Sequence, residues 1–426
     1  MMKNWDKPEL FGVGQFTDLR LYGEALRLAL SRGVLSTEIL QTELPQRIKG
    51  LLLVEGFGIR PIVDLIREMQ RFGFLRRVST DKFIITNEGV EYSFLEETNP
   101  LQAKDILLKK TQEVFVTPAW FVNRMWKWNT KGQGQLVIPT PIKEWTSAPR
   151  NWEDNEWTCE LEEVCQTTYL KIQQVVPGAF PIPINEWLHG IRQEYEREGT
   201  LKPRQKKLSS KERAKYNPRA RLSNAMKNVS VRLIFSKTDP QTGKDDFANV
   251  RSQMTHRSFM IWCPRLESFG LIFYTDYKPE IPGRLLFPTS VFKNPGYIDK
   301  NYIEKSFLST PEDKVLYLFH PTWNDFKDIF KKTLFEVYEY FYNLQRIIYI
   351  SLQDIRDEVC RQLRISPFLF ESFLSETYKA SLRKEIKYSI SLETDLRQDM
   401  KVQINRRGVY LDGVLYTLIA IKIFKL

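Results

Sequence analysis

Between Leu201 and Lys227 the chain reads LKPRQKKLSSKERAKYNPRARLSNAMK, ten lysines and arginines against a single acid, Glu212. The stretch also holds Pro203 and Pro218 and few apolar residues, so it reads as a loop, or a helix flanked by loops, and not as a strand. Any core must therefore be built from the chain on either side of it. The 426 residues suffice for two to four domains. Of the net charge of +11 the block carries nine, so the basicity is local and argues for a site that meets an anion.

Upstream, a helical pattern runs from Thr17, with Leu19, Tyr22, Leu26 and Leu30 at intervals of three or four and Gly33 just past the end. A second helix begins at Ser36 and includes Glu38 and Glu43. In GFGIRPIVDLIREMQRFGFL, Ile59, Ile62, Val63, Ile66 and Met69 make an apolar stripe, while Arg60, Asp64, Arg67 and Arg71 share another face. Gly73 ends this helix. FLRRVSTDKFIIT then reads as a short hairpin turning at STDK, and NEGVEYSFL restarts a helix.

This order, three helices, a small basic hairpin and a helix, resembles the winged helix-turn-helix superfamily over residues 17–98. The resemblance implies that the third helix enters a major groove and the hairpin touches backbone. Arg60, Arg67 and Arg71 would then be groove or phosphate contacts, and Arg76, Arg77 and Lys82 wing contacts. One departure is the loop LPQRIKGLLLVEGFG, longer and more apolar than a minimal turn.

Residues 345–426 are similar in pattern, not in sequence. Ser351 is an N-cap with Asp354 three residues on, and Leu352, Ile355, Val359 and Leu363 form a buried stripe. Ser366 and Pro367 restart a helix as N-cap and first helical residue. The strands YSISLE, KVQINRRGVYLDG and VLYTLIAIKI follow, again compatible with helices and a wing. The last helix and its exit carry Lys379, Arg383, Lys384 and Lys387.

The middle begins with a stretch rich in Trp and Pro (Trp120, Trp126, Trp128, Trp145) and an acidic run at Glu153, Asp154, Glu156, Glu160, Glu162 and Glu163 that offers the basic block an internal counter-charge. PINEWLHGIRQEYEREG reads as a helix leading into the block. After it, NVSVRLIF, RSFMIWC, LIFYTDY and GRLLFP, each bounded by turn residues, predict an antiparallel meander. From Pro321 to Tyr349 an aromatic-rich helix is expected to bury itself fully.

Catalytic motifs are sparse. No GxxxxGK[ST], GxSxG or HExxH occurs, and His189, His256 and His320 are scattered. Cys159, Cys165, Cys263 and Cys360 lack zinc-ribbon spacing and read as reduced core thiols. Asp276 and Lys278 close a predicted strand as a (D/E)xK pair, the weak candidate for a Mg²⁺ nuclease; a solvated strand end is the competing reading.

The expected fold is α+β and multidomain: an N-terminal winged-helix-like domain (1–112), a β-rich antiparallel central domain (113–320) with the basic insertion 201–227, and a connecting helix with a C-terminal winged-helix-like domain (321–426). The expected function is non-catalytic nucleic-acid binding, DNA over RNA and double-stranded DNA above all, as an accessory chain of a larger prokaryotic DNA-processing or phage-defence assembly. The phosphate-facing residues would be the six N-terminal cations named above, Lys202, Arg204, Lys206, Lys207, Lys211, Arg213, Lys215, Arg219 and Arg221 of the block, and the four C-terminal cations. No cofactor and no metal are expected. An assembly scaffold using its winged helices on protein, with the basic loop incidental, is the alternative. Without a signal-like apolar segment at the start or a span-length run anywhere, a cytoplasmic protein off the membrane is expected.

Overall fold

The computed structural model describes residues 19–47, 59–115, 117–128, 134–145, 156–200, 218–235, 254–275, 280–289, 291–292, 306–309, 315–318, 323–394, 408–411 and 414–423. It is mixed helix and strand, with small antiparallel sheets. The chain divides into two compact units: residues 1–119, 261–273 and 289–426 form the first, and 120–260 with 274–288 the second. Both chain ends belong to the first unit, where the sequence division has them in separate domains.

The first unit opens with α1 (Arg20–Arg32), α2 (Thr37–Arg47) and α3 (Ile59–Arg71), then β1 (Leu75–Ser79), β2 (Lys82–Ile85) and α4 (Asn87–Thr98). Local chemistry sets the joints. Gly33 takes φ +72° and donates its N–H to Ala29 O at 2.9 Å; Ser36 Oγ caps α2 by accepting from Ile39 N–H at 3.2 Å. Gly73, at φ +78°, ends α3 as expected. Thr86 caps α4 through Gly89 N–H and donates its own hydroxyl to Gly73 O at 2.6 Å, which ties the hairpin exit to the end of α3. Gly89 has no room for a side chain, since a Cβ would lie 2.5 Å from Phe74 O.

β1 and β2 pair with Arg76 opposite Ile84 and Arg77 opposite Phe83. Leu35 and Phe83 exchange backbone hydrogen bonds of 2.8 and 2.9 Å, so the stretch before α2 joins the hairpin. Tyr22, Phe72, Phe74 and Tyr92 form the aromatic core beneath. In α1 the buried face is Leu21, Tyr22, Ala25, Leu26, Leu28 and Ala29, and Leu30 faces water. In α3 it is Ile62, Leu65, Ile66 and Met69, with Val63 exposed.

α5 (Pro100–Val114) and α6 (Thr117–Trp128) follow, then β3 (Leu136–Pro139), α7 (Cys159–Val175), α8 (Ile184–Thr200), α9 (Pro218–Ile234), α10 (His256–Ser268), β4 (Ile272–Thr275) and β5 (Gly283–Pro288). The four-strand meander is corrected here. NVSVRLIF lies in α9 and RSFMIWC in α10. Leu222, Ala225, Met226 and Val229 in α9, and Phe259, Trp262, Cys263 and Leu266 in α10, are buried at i, i+3, i+4 and i+7. That longer helical period overrides the β-branched and aromatic composition of the short windows. LIFYTDY and GRLLFP do supply β4 and β5, in a sheet ordered β3-β5-β4.

The rest of the first unit holds β6 (Val291–Phe292), β7 (Ser306–Ser309), β8 (Val315–Leu318), α11 (Trp323–Gln345), β9 (Ile350–Ser351), α12 (Leu352–Leu363), α13 (Pro367–Leu382) and β10 (Tyr388–Glu393), then β11 (Val409–Leu411), β12 (Val414–Tyr416) and β13 (Leu418–Ile423). Ser351 and Ser366 cap α12 and α13 by accepting from Asp354 and Leu369 N–H, with Pro367 at the first helical position. A sheet ordered β10-β13-β9 covers these helices' C-terminal partner surface, with Ile390 opposite Ile421. The expected full burial of α11 is also corrected: Phe330, Leu334, Phe335, Val337, Tyr338 and Phe341 are buried, and the opposite face stays in water.

The first unit is pinned by a buried ion pair. Arg265 of α10 and Glu68 of α3 are 1% and 3% exposed, and the guanidinium reaches the carboxylate at 3.0 and 3.5 Å. Tyr22 of α1 donates its hydroxyl to the same carboxylate. Burial alone would push the Arg265 pKa down; the Glu68 charge outweighs this and holds it above the ordinary value. Removing one member strands the other's charge away from water, at about 3–5 kcal/mol. Arg265→Ala is therefore expected to lower the unfolding free energy in urea by about that amount, and the joint change Glu68→Gln with Arg265→Met by less.

Candidate nucleic-acid interface

On α3, positions 60, 64, 67 and 71 lie on the side opposite Ile62, Leu65, Ile66 and Met69, because each step turns the helix by about 100°. Arg60 and Arg67 are exposed, and Arg67 reaches Asp64 at 3.4 Å. Arg71 is half-buried, its guanidinium 5.1 Å from the centre of the Phe115 ring. It therefore braces α3 against the end of α5, which corrects its expected place as a free groove contact.

On the hairpin, Arg76 and Lys82 are exposed. Arg77 is exposed too, but donates to Ser79 O at 2.9 Å and Thr80 O at 2.6 Å, clamping its own turn. Asp81, beside Lys82 at the tip, is occupied by Thr37: it accepts from the hydroxyl and from the backbone N–H at 3.3 Å. That tie gives no sequence signal and fixes the hairpin tip to the start of α2.

Charge in this part of the fold is polarised. Residues 20–98 hold eleven cations and eleven acids, so the domain as a whole is not basic. Between Arg60 and Lys82, however, six cations face three acids, and one of those acids, Glu68, is buried against Arg265. From Thr86 to Thr98 there are four acids and no cation. Of these acids, Glu96 and Glu97 pair with Arg27 at 3.0 and 3.5 Å, and Glu88 with Lys110 at 2.9 Å.

In the central block, Lys202, Arg204, Lys206, Lys207, Lys211, Arg213 and Lys215 lie outside the described residues. The block joins α8 to α9, which run antiparallel: Trp187 Nε1 donates to Ser230 Oγ at 2.9 Å, and Arg221 Nε to Tyr195 O at 2.9 Å. Two arginines of the block are turned inward. Arg221 is 4% exposed, with its guanidinium 3.8 Å from the Tyr195 ring centre. Arg219 donates to Trp145 O, and to Ile142 O at 3.4 Å. Position 221 falls on the stripe of Leu222, Ala225 and Val229, so α9 carries it into the core. These two residues are structural, which corrects their expected role on phosphate.

Of the C-terminal set, Lys379 lies 3.7 Å from Glu376, and Arg383 pairs with Glu385 at 2.7 Å. Lys384 is exposed at φ +56°, and Lys387 stands 5.1 Å from the Tyr388 ring centre. Exposed ion pairs of this kind contribute little and open readily to another anion.

Asp276 and Lys278 lie outside the described residues, directly after β4. No group of three metal-ligating side chains occurs among the described residues. His256 is pushed down to about 4 by burial and by the nearby Lys227 and Arg284, so it is a neutral ring at neutral pH. Cys165, Cys263 and Cys360 are buried free thiols, and burial raises Cys165 and Cys360; Cys159 is free and exposed. No helix among the described residues is long and apolar enough to cross a membrane.

The split between structural and exposed arginines is measurable. Arg221→Ala, which orphans Tyr195 O and opens the α8–α9 contact, is expected to cost about 1–3 kcal/mol in urea unfolding. Arg76→Gln is expected to cost less than about 0.5 kcal/mol in the same titration. The chain matches no family model, no curated protein and no solved structure.

Proposed function

We propose that this protein binds nucleic acid without transforming it, with double-stranded DNA the favoured ligand, as an accessory member of a larger DNA-processing or phage-defence assembly. The observation that carries the reading is the basic face built from α3 and the β1–β2 hairpin, with Arg60, Arg67, Arg76 and Lys82 exposed on two elements that pack against each other. We read α1 to α4 as a winged helix. Thirteen residues make α3 about 20 Å long, enough to lie along a major groove about 12 Å wide. Arg60 and Arg67 then meet base edges or phosphates, while Arg76 and Lys82 meet the flanking backbone. The acidic α4 gives the domain an orientation, since its carboxylates are repelled by phosphate.

The seven cations from Lys202 to Lys215 add attraction that carries no sequence information. Arg383, Lys384 and Lys387 supply a further backbone contact after α13, in a second wing-like arrangement. A scaffold reading draws on a different observation: Val90 and Phe94 are exposed one turn apart on α4, a surface suited to protein.

Fluorescence anisotropy on a labelled duplex across a salt series tests the proposal. Log affinity should fall linearly with log salt, with a slope smaller by about 0.9 for each phosphate contact removed in Arg60→Gln, Arg67→Gln, Arg76→Gln and Lys82→Gln together. An unchanged slope and affinity in that variant removes the N-terminal face from the reading. A stoichiometric protein partner that survives nuclease treatment, with no binding to any duplex, favours the scaffold.

A further inference from the structure

We infer that the end of α11 and the turn after it form a surface on which a second copy of this chain docks. Among the described residues this is where large apolar side chains crowd the surface most densely: Tyr340, Leu344, Ile347 and Ile348 are 57%, 64%, 51% and 50% exposed within nine positions. Four side chains of this size held in water mark an interaction surface. Tyr340 and Leu344 lie one turn apart on the outward face of α11, opposite the buried Phe330, Leu334, Val337 and Phe341.

The strip has a fixed shape. Arg346 ends the helix at φ +57°, a conformation that favours glycine, with its N–H bonded to Tyr342 O at 2.8 Å. Tyr338 donates its hydroxyl to Ile348 O at 2.8 Å, and Ile350 next along is buried and paired with Ile419. Both ends are therefore anchored, and Ile347 and Ile348 are held outward by the backbone that follows Arg346. A surface already ordered loses little freedom on binding.

The identity of the occupant follows from charge. Glu339 and Arg346 stand at opposite ends of the strip; both are exposed, and neither has an ion-pair partner among the described residues. A two-fold axis through the middle of the strip sets Glu339 of each copy against Arg346 of the other, with Tyr340 and Leu344 buried between them. One surface that carries both halves of its own complement is what an isologous dimer requires. Its four apolar members add no charge to the meeting of two chains that each carry +11.

Sedimentation equilibrium of the full chain over a concentration series tests this. The wild type should show a reversible monomer–dimer equilibrium. Leu344→Glu should weaken it at least about tenfold, as expected for loss of a central apolar anchor. Glu339→Arg and Arg346→Glu should each weaken it, and the double variant should recover most of the wild-type affinity. That recovery also shows that the single variants are folded. A wild type that stays monomeric at its highest soluble concentration overturns the proposal. So does a dimer indifferent to Leu344→Glu, or a double swap no better than either single change. The readout needs no nucleic acid, so its outcome is separate from that of the duplex titration.

Discussion

Two charges placed where water cannot reach them, on Glu68 and Arg265, constrain the first unit more than any patch of its apolar core. Desolvation opposes both, and the pair persists because the guanidinium meets both carboxylate oxygens while Tyr22 donates a third hydrogen bond. Three helices are fixed by that geometry: α1 through Tyr22, α3 through Glu68 and α10 through Arg265. The face of α3 that looks outward is settled at the same time. Glu68 can turn inward only if Arg60 and Arg67 turn away, because positions 60 and 67 lie on the far side of the same helix. The basic surface is thus a consequence of the buried pair, and the rings of Trp262 and Phe115 beside it, 5.5 Å apart, carry the same ordering to Arg71.

Arginine in this protein serves two purposes that composition does not separate. Arg221, Arg265 and Arg356 are buried, and each is held by specific acceptors: Tyr195 O, the Glu68 carboxylate, and Asp357 with Gly408 O. These satisfy carbonyls and carboxylates that would otherwise be stranded. Arg60, Arg67 and Arg76 keep their charge in water, where it can meet another anion. A net charge therefore overstates the positive surface, since part of it is spoken for inside the fold. The same holds within the N-terminal elements, where equal numbers of acids and cations give no net charge and yet separate onto different helices.

Helix and hairpin ends were legible because their causes are local. Gly33, Gly73, Ser36, Ser351, Ser366 with Pro367, and the STDK turn each act within about four residues, and all of them do in the structure what their side chains and backbone freedom suggest. β10 likewise follows from the alternation in YSISLE. The misreadings share an origin in windows too short for the period they sampled. NVSVRLIF alternates like a strand over eight residues, but extended back to Leu222 it follows the 3.6-residue period of α9. RSFMIWC stops before Pro264, and α10 continues through that proline. In α11 the aromatic content alone suggested burial on every side, whereas the periodicity buries one face and leaves Tyr340 and Leu344 outside.

Of the candidate interface, the cations on α3 and the hairpin could be found from spacing, because a helix face and a turn are short-range objects. Their standing could not. That Arg77 closes on its own turn, that Arg71 leans on Phe115 and that Arg221 is inside depends on residues up to 44 positions away. Arg265 and Glu68 are 197 positions apart, and no pattern in either neighbourhood names the other. By itself the sequence determined where elements begin and end, because those choices are made by neighbouring backbone groups. Which charges are buried and which meet solvent was decided only by tertiary packing, because desolvation depends on what the rest of the chain brings alongside.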